Sequence, residues 1–239
     1  MTTVTRGDDP LVAALTDQLQ AMRAAERDIF GALDPAVRDR PMRPNDWSPK
    51  DHQAHLTAWK AIQAERIRAA AAGAAPVIER REDDEINAEL QAMRADWSWA
   101  AIAAEADDVT LRLQAEIEAA GPDVLVASER LIGGVFGNGP FHAITHFGWL
   151  VDANVGVDEK RVADFLDEAQ QLLDRVALPA GDRGVGLYNL ACAHALAGRL
   201  DRARPLLRVA LGLRPDLAEF AREDPDLVGL RDELPSLGR

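Results

Sequence analysis

Apolar residues recur at helical spacing along almost the whole chain, and no stretch alternates as a half-buried strand would. Leu11, Leu15, Leu19, Met22 and Ile29 fall mostly three or four apart, which predicts an amphipathic helix over about residues 9–33. Pro35, Pro41 and Pro44 then force a turning or extended connection. Ser48 is placed to cap a second helix, with Pro49 at its first position and Asp51 able to close a capping box. Gly73 and Pro76 stop that helix near residue 72. A short helix over 84–95 and a longer one over 98–120 follow, the latter striped by Ile102, Val109, Leu113 and Ile117 and ended by Gly121-Pro122. Residues 123–138 read as mixed, with Gly133, Gly134, Gly137 and Gly139 making their end loop-like. Pro140 restarts a helix carrying Phe141, Ile144, Phe147 and Leu150 as far as Asn154. Helices striped in this way must bury their stripes against one another, so an all-α fold is expected: a four-helix bundle with an insertion helix between the second and third main helices.

Gly156 marks the expected domain boundary, giving a bundle over 1–155 and a second helical domain over 156–239. The second domain should hold a helix over 159–176, a break at Pro179-Ala180-Gly181, and a helix pair over 184–197 and 200–213, with two short helical pieces after it. Leu190, Ala191, Ala195, Gly198, Ala203, Leu207, Ala210 and Pro215 sit at offsets that suit close packing of two helices, with a turn at Gly198 and a stop at Pro215. Pro205 should bend the second helix of the pair slightly, because it removes an intrahelical hydrogen bond.

Charge and cysteine usage narrow the function classes. The 239 residues carry 27 Lys+Arg against 40 Asp+Glu, a net charge of -13. Such a surface repels polyphosphate, so nucleic acid is not an expected partner. Arg66, Arg68, Arg80 and Arg81 are the nearest approach to a basic patch, and Glu79 and Glu82 dilute it. The start, MTTVTRGDD, lacks the features of a signal peptide, and the alanine-rich stretch over 69–75 is too short and too weakly apolar to span a bilayer. A cytoplasmic protein without a membrane partner is expected. The single Cys192 can make no internal disulfide. His194 lies only two residues away, but residues so spaced on a helix point about 200° apart and make no catalytic dyad. Cys192 is therefore expected as a small buried packing residue.

Two resemblances rest on specific residues. Trp47-Ser48-Pro49-Lys50-Asp51-His52, Ala54-His55-Leu56-Thr57-Ala58-Trp59 and Ile86-Asn87-Ala88-Glu89 together resemble the DinB-like four-helix bundle superfamily, and within it the ClbS/DfsB-type proteins. The likeness covers about residues 8–154. Many members hold a divalent metal through one ligand on the second helix and an HxxxH pair on the last. The resemblance thus implies His55, His142 and His146 as metal ligands. In the second half, Leu190-Ala191, Gly198, Asp201, Ala203, Ala210-Leu211 and Pro215 resemble a tetratricopeptide repeat over about 185–217. His194 stands where that family prefers a large aromatic, and should fill the same space between the paired helices.

The spacing of the histidines bears on the same chemistry. His142 and His146 are four apart and leave one helix face a turn apart, and His52 and His55, three apart, roughly share a face. If the two faces meet, three imidazoles could hold zinc, nickel, iron, manganese or cobalt, since all-nitrogen sites discriminate weakly. An HxxxH pair is also compatible with a solvated or packed polar pair. His142 and His52 both sit near helix N-termini, where the dipole disfavours imidazolium. His52 is then left for proton transfer, for support of the ligands or for the surface, and Glu89 is a second acid–base candidate against the alternative of a solvated helix face. Trp59 and Trp149 either wall a pocket or belong to the core, and Trp47 should staple the second helix from just before its cap. Asn87 either faces a substrate or pins the insertion helix.

Two function classes follow. The first is an enzyme: a metal-dependent hydrolase or thiol-dependent transferase acting on a small, toxic electrophile, a substrate class that the ClbS/DfsB resemblance suggests. The second is a sequestering or scaffold protein whose tetratricopeptide-like half mediates self-association as a homodimer or binds a protein partner. Gly133, Gly134, Gly137 and Gly139 lack the Lys-Ser/Thr and strand context of a nucleotide site.

Overall fold

The structure, a computed structural model, describes residues 9–43, 46–74 and 81–237. Pro44, Pro76, Glu79 and Arg80, which enter the sequence reading above, lie outside the described residues, as do residues 1–8 of the start. Among the described residues every regular element is helical, so the protein is all-α. No helix among them is long and apolar enough to cross a membrane. The chain divides into two compact units, one up to Gly139 and one from Pro140 onward.

The first unit is built on three long helices. Helix α1 (Pro10–Gly31) starts where Asp9 accepts from the Leu11 and Val12 amides. A single turn, α2 (Pro35–Arg38), interrupts the proline-rich connection, with Asp34 capping it and Pro35 at its first position. Helix α3 (Pro49–Ala71) begins with the expected capping box: Ser48 Oγ accepts from the Asp51 amide at 3.2 Å, and Asp51 accepts from the Ser48 amide at 2.9 Å. Each bond satisfies an amide that the first helical turn leaves without a partner. After α4 (Asp83–Ala92) comes α5 (Trp99–Val126), whose backbone leaves helical geometry at Gly121 (φ 74°, ψ 173°) directly before Pro122. Helix α3 packs against α5, and α1 packs against both. Leu15, Leu19, Met22 and Ile29 of α1, Leu56 and Ile67 of α3, and Ile102, Leu113 and Ile117 of α5 form the core they share.

Residues 129–137 correct the loop-like reading of their glycines: they form helix α6 (Glu129–Gly137), with Ile132, Val135 and Phe136 buried. Close approach accounts for Gly134. A Cβ there would stand 2.4 Å from Oε1 of the fully buried Gln63 on α3. Gln63 in turn donates to the Leu131 carbonyl at 3.0 Å and accepts from Asn138 at 3.2 Å, binding both ends of α6 to α3.

The second unit opens with α7 (Pro140–Asp152), followed by α8 (Glu159–Arg175), α9 (Ala180–Leu196), α10 (Leu200–Leu213), α11 (Leu217–Glu223), a 3₁₀ segment (Pro225–Glu233) and α12 (Leu234–Leu237). Helix α9 is its centre, packing on α7, α8, α10 and the 3₁₀ segment. It begins at Ala180, inside the break expected over Pro179-Ala180-Gly181, with the Arg183 amide closing its first turn on the Pro179 carbonyl at 3.0 Å. Between α9 and α10 the chain turns at Gly198 (φ 70°), with the Arg199 amide bonded to the His194 carbonyl and the Gly198 amide to the Ala195 carbonyl. These two bonds satisfy the last carbonyls of α9 in a Schellman arrangement that needs a left-handed residue at Gly198. Helices α7 and α9 meet closely: a Cβ on Gly186 would stand 2.3 Å from the Phe141 ring.

Candidate metal ligands

The first pair of histidines lies at the start of α3. The capping box fixes the first turn, which places His52 at the fourth helical position and His55 one turn further on. Trp47, just ahead of the cap, packs on both rings, with centroids 5.5 Å from His52 and 4.7 Å from His55. Its contact with His52 is the expected staple, with an imidazole as partner. Both imidazoles are buried. Burial pushes His52 down to about 4, although Asp46 and Asp51 pull the other way. Burial, with the neighbouring His52, pushes His55 down to about 3. Near pH 7 both are neutral, the state in which an imidazole nitrogen can ligate a metal.

Trp59 stands edge-on to His55 at 6.3 Å, and its indole N–H donates to Asn87 Oδ1 at 3.0 Å. Asn87 thus pins the insertion helix α4 to α3. Glu89, on the same short helix, lies on the exposed side and pairs with Arg81 at 2.7 Å.

The second pair lies on α7. His142 and His146 stand one turn apart with ring centroids 4.8 Å from each other at 62°. His146 is buried and His142 half-buried. Trp149, exposed at the surface, is edge-on to His146 at 4.8 Å, and its indole N–H donates to the Asp226 carboxylate at 3.1 and 3.3 Å.

Cys192 is buried, as expected, but in polar company. Its Sγ lies 3.8 Å from Asp224 Oδ2, which also accepts from the Tyr188 hydroxyl at 2.6 Å. Burial and the Asp224 charge hold the thiol well above its ordinary pKa, so it carries its proton and is a poor nucleophile. His194 is buried as well.

The sequence reading missed a charge network inside the first unit. Lys60 and Glu26 are both fully buried and paired at 2.7 Å. Glu26 also accepts from Gln53 at 3.1 Å and Arg23 at 3.3 Å, and Arg23 reaches Asp107 of α5 at 2.6 Å. Gln53, Thr57 and Lys60 follow one another at intervals of four and three on α3, so they share a stripe distinct from that of His52 and His55. Burial lowers the Lys60 pKa while Glu26 raises it.

The sequence profile of the DinB superfamily matches residues 18–150, more than half of the chain, and the chain belongs to that superfamily. Its members are often metal-binding. No curated protein and no solved structure matched the chain significantly.

Proposed function

We propose that the protein is a metal-dependent enzyme in which His55, His142 and His146 hold one divalent ion, each through one imidazole nitrogen. The observation that carries this reading is the HxxxH pair of α7, with the His142 and His146 ring centroids 4.8 Å apart and His146 buried, in a chain of a superfamily whose members often bind metal. Three imidazoles are a fitting donor set for zinc, nickel, iron, manganese or cobalt. When bound, the ion supplies a Lewis acid able to polarise an electrophilic centre or to acidify a thiol or water. Hydrolysis of a small electrophile, or transfer of a thiol to it, follows from that chemistry.

The chain's own residues support this reading in distinct ways. Trp47 and Trp59 place indole rings against His55, and Trp149 places one against His146, offering apolar surface for a small substrate. Of the two proton-transfer candidates, His52 shares the Trp47 ring with His55, whereas Glu89 is engaged with Arg81 on an exposed face. We therefore assign proton transfer to His52. The ClbS/DfsB-type likeness of the Trp47–Trp59 segment favours a toxic electrophile as substrate. The α9–α10 pair, turning at Gly198, supports a tetratricopeptide-like reading of the second half, which would offer a surface to a second copy or a protein partner.

Elemental analysis of the purified protein tests the assignment. About one divalent ion per chain is expected, lost in His146→Ala while the helical circular dichroism persists. A protein with no ion, or a variant that keeps it, contradicts the assignment.

A further inference from the structure

Trp149 is unusual among the aromatic residues of α7. Phe141 and Phe147 are fully enclosed, but Trp149 is 36% exposed. A surface indole with no polar partner samples several rotamers. Here the ring is held, because its N–H donates to both oxygens of Asp226. Asp226 is itself fixed. Its amide donates to Asp224 Oδ1 at 2.9 Å, and the other oxygen of Asp224 takes the Tyr188 hydroxyl of α9. Helix α7 is seated on α9 where Gly148 meets Ala193: a Cβ on Gly148 would lie 3.1 Å from the Ala193 Cα. A continuous series of contacts within the second unit therefore runs from the 3₁₀ segment through Asp226 and Trp149 to the His146 ring.

We propose that Asp226 is a positioning residue for His146, acting through Trp149: the carboxylate holds the indole, and the indole holds the imidazole edge-on at 4.8 Å. This rests on the reading of His146 as a metal ligand. It makes the C-terminal segment, beyond the residues that match the superfamily, part of what sets metal affinity. Outer partners that orient a ligating histidine are typically worth about 10–100-fold in affinity. The link to His146 passes through a ring rather than a direct hydrogen bond, so an effect near the lower figure is expected.

Cobalt titration of the metal-free full chain, followed through its visible absorption, tests the proposal. Asp226→Leu, which removes the acceptor, is expected to weaken cobalt binding about tenfold. Asp226→Asn, which keeps an oxygen to accept the indole N–H, should stay near wild type. Trp149→Phe removes the donor, and adding Asp226→Leu to it should cost no further affinity, since the two changes break one link. The downfield indole N–H resonance of Trp149 should move in Asp226→Leu without any metal present, and denaturant midpoints of the metal-free variants separate lost ordering from lost folding. Wild-type affinity in Asp226→Leu, or losses that add in the double variant, would overturn the proposal while leaving the metal assignment intact. A wild-type chain that binds no cobalt, nickel or zinc would overturn both.

Discussion

Lys60 and Glu26 show what a single buried residue can demand of this fold. Neither has solvent to spread its charge, so each depends on the other and on Gln53 and Arg23 for compensation. Lys60→Met should destabilise the chain by about 3–5 kcal/mol in urea unfolding, because it leaves the Glu26 carboxylate buried without its main partner. Glu26→Leu combined with Lys60→Met should recover much of that loss, since Arg23 keeps Asp107; a double variant as unstable as Lys60→Met would refute this account. His194 makes a different demand. Neither ring nitrogen has a hydrogen-bond partner among the described residues, and burial, with Arg199 and Arg202 nearby, pushes its pKa from 6.5 to about 4. The unfolded chain then binds the extra proton between these values. Stability of the metal-free protein should be fully present above pH 6.5 and fall as pH drops toward 4, with His194 contributing on the order of 2 kcal/mol. In His194→Phe the slope of stability against pH should shrink without vanishing, because His52 and His55 titrate in the same direction. An unchanged slope in pH-dependent denaturation would show that His194 titrates normally. None of this network was legible in the sequence: Glu26, Gln53 and Lys60 are ordinary residues for a solvated face, and only the packing of α1, α3 and α5 shows that their faces are enclosed.

At the scale of elements, local chemistry was a sound guide wherever the signal was local. Ser48-Pro49-Lys50-Asp51 specifies a helix start through bonds within four residues, and α3 begins where those residues place it. Ser48→Ala should cost about 1 kcal/mol in thermal or urea unfolding, with no change in the number of helices. Gly121-Pro122 and Gly198 were equally legible, since each interrupts a helix through its own backbone. Helix α6 was not, because Gly134 serves an approach to Gln63 on a helix far earlier in the chain, and glycine alone does not distinguish close packing from a loop. On α9, predicted as helical across its glycines, Gly186 likewise accommodates the Phe141 ring. Gly186→Ala should lower stability by about 1–3 kcal/mol through overpacking, read as a shifted denaturation midpoint. A neutral outcome would mean that the ring moves aside freely.

For the whole molecule, the histidine spacing on α7 and the capped start of α3 could be read from the sequence, because each is a within-helix relation. What the sequence did not contain was the setting of those rings: Trp47 lying across both His52 and His55, and Trp149 tied to a carboxylate 77 residues further along. The superfamily match runs through both histidine-bearing helices and stops at residue 150. Metal binding depends on one donor set, and the direct measurement is the metal content of the purified chain beside His55→Ala, His142→Ala and His146→Ala. About one divalent ion in the wild type and a sharp loss in each of the three variants is the predicted result. A metal-free wild type, or an ion that survives all three substitutions, would contradict it.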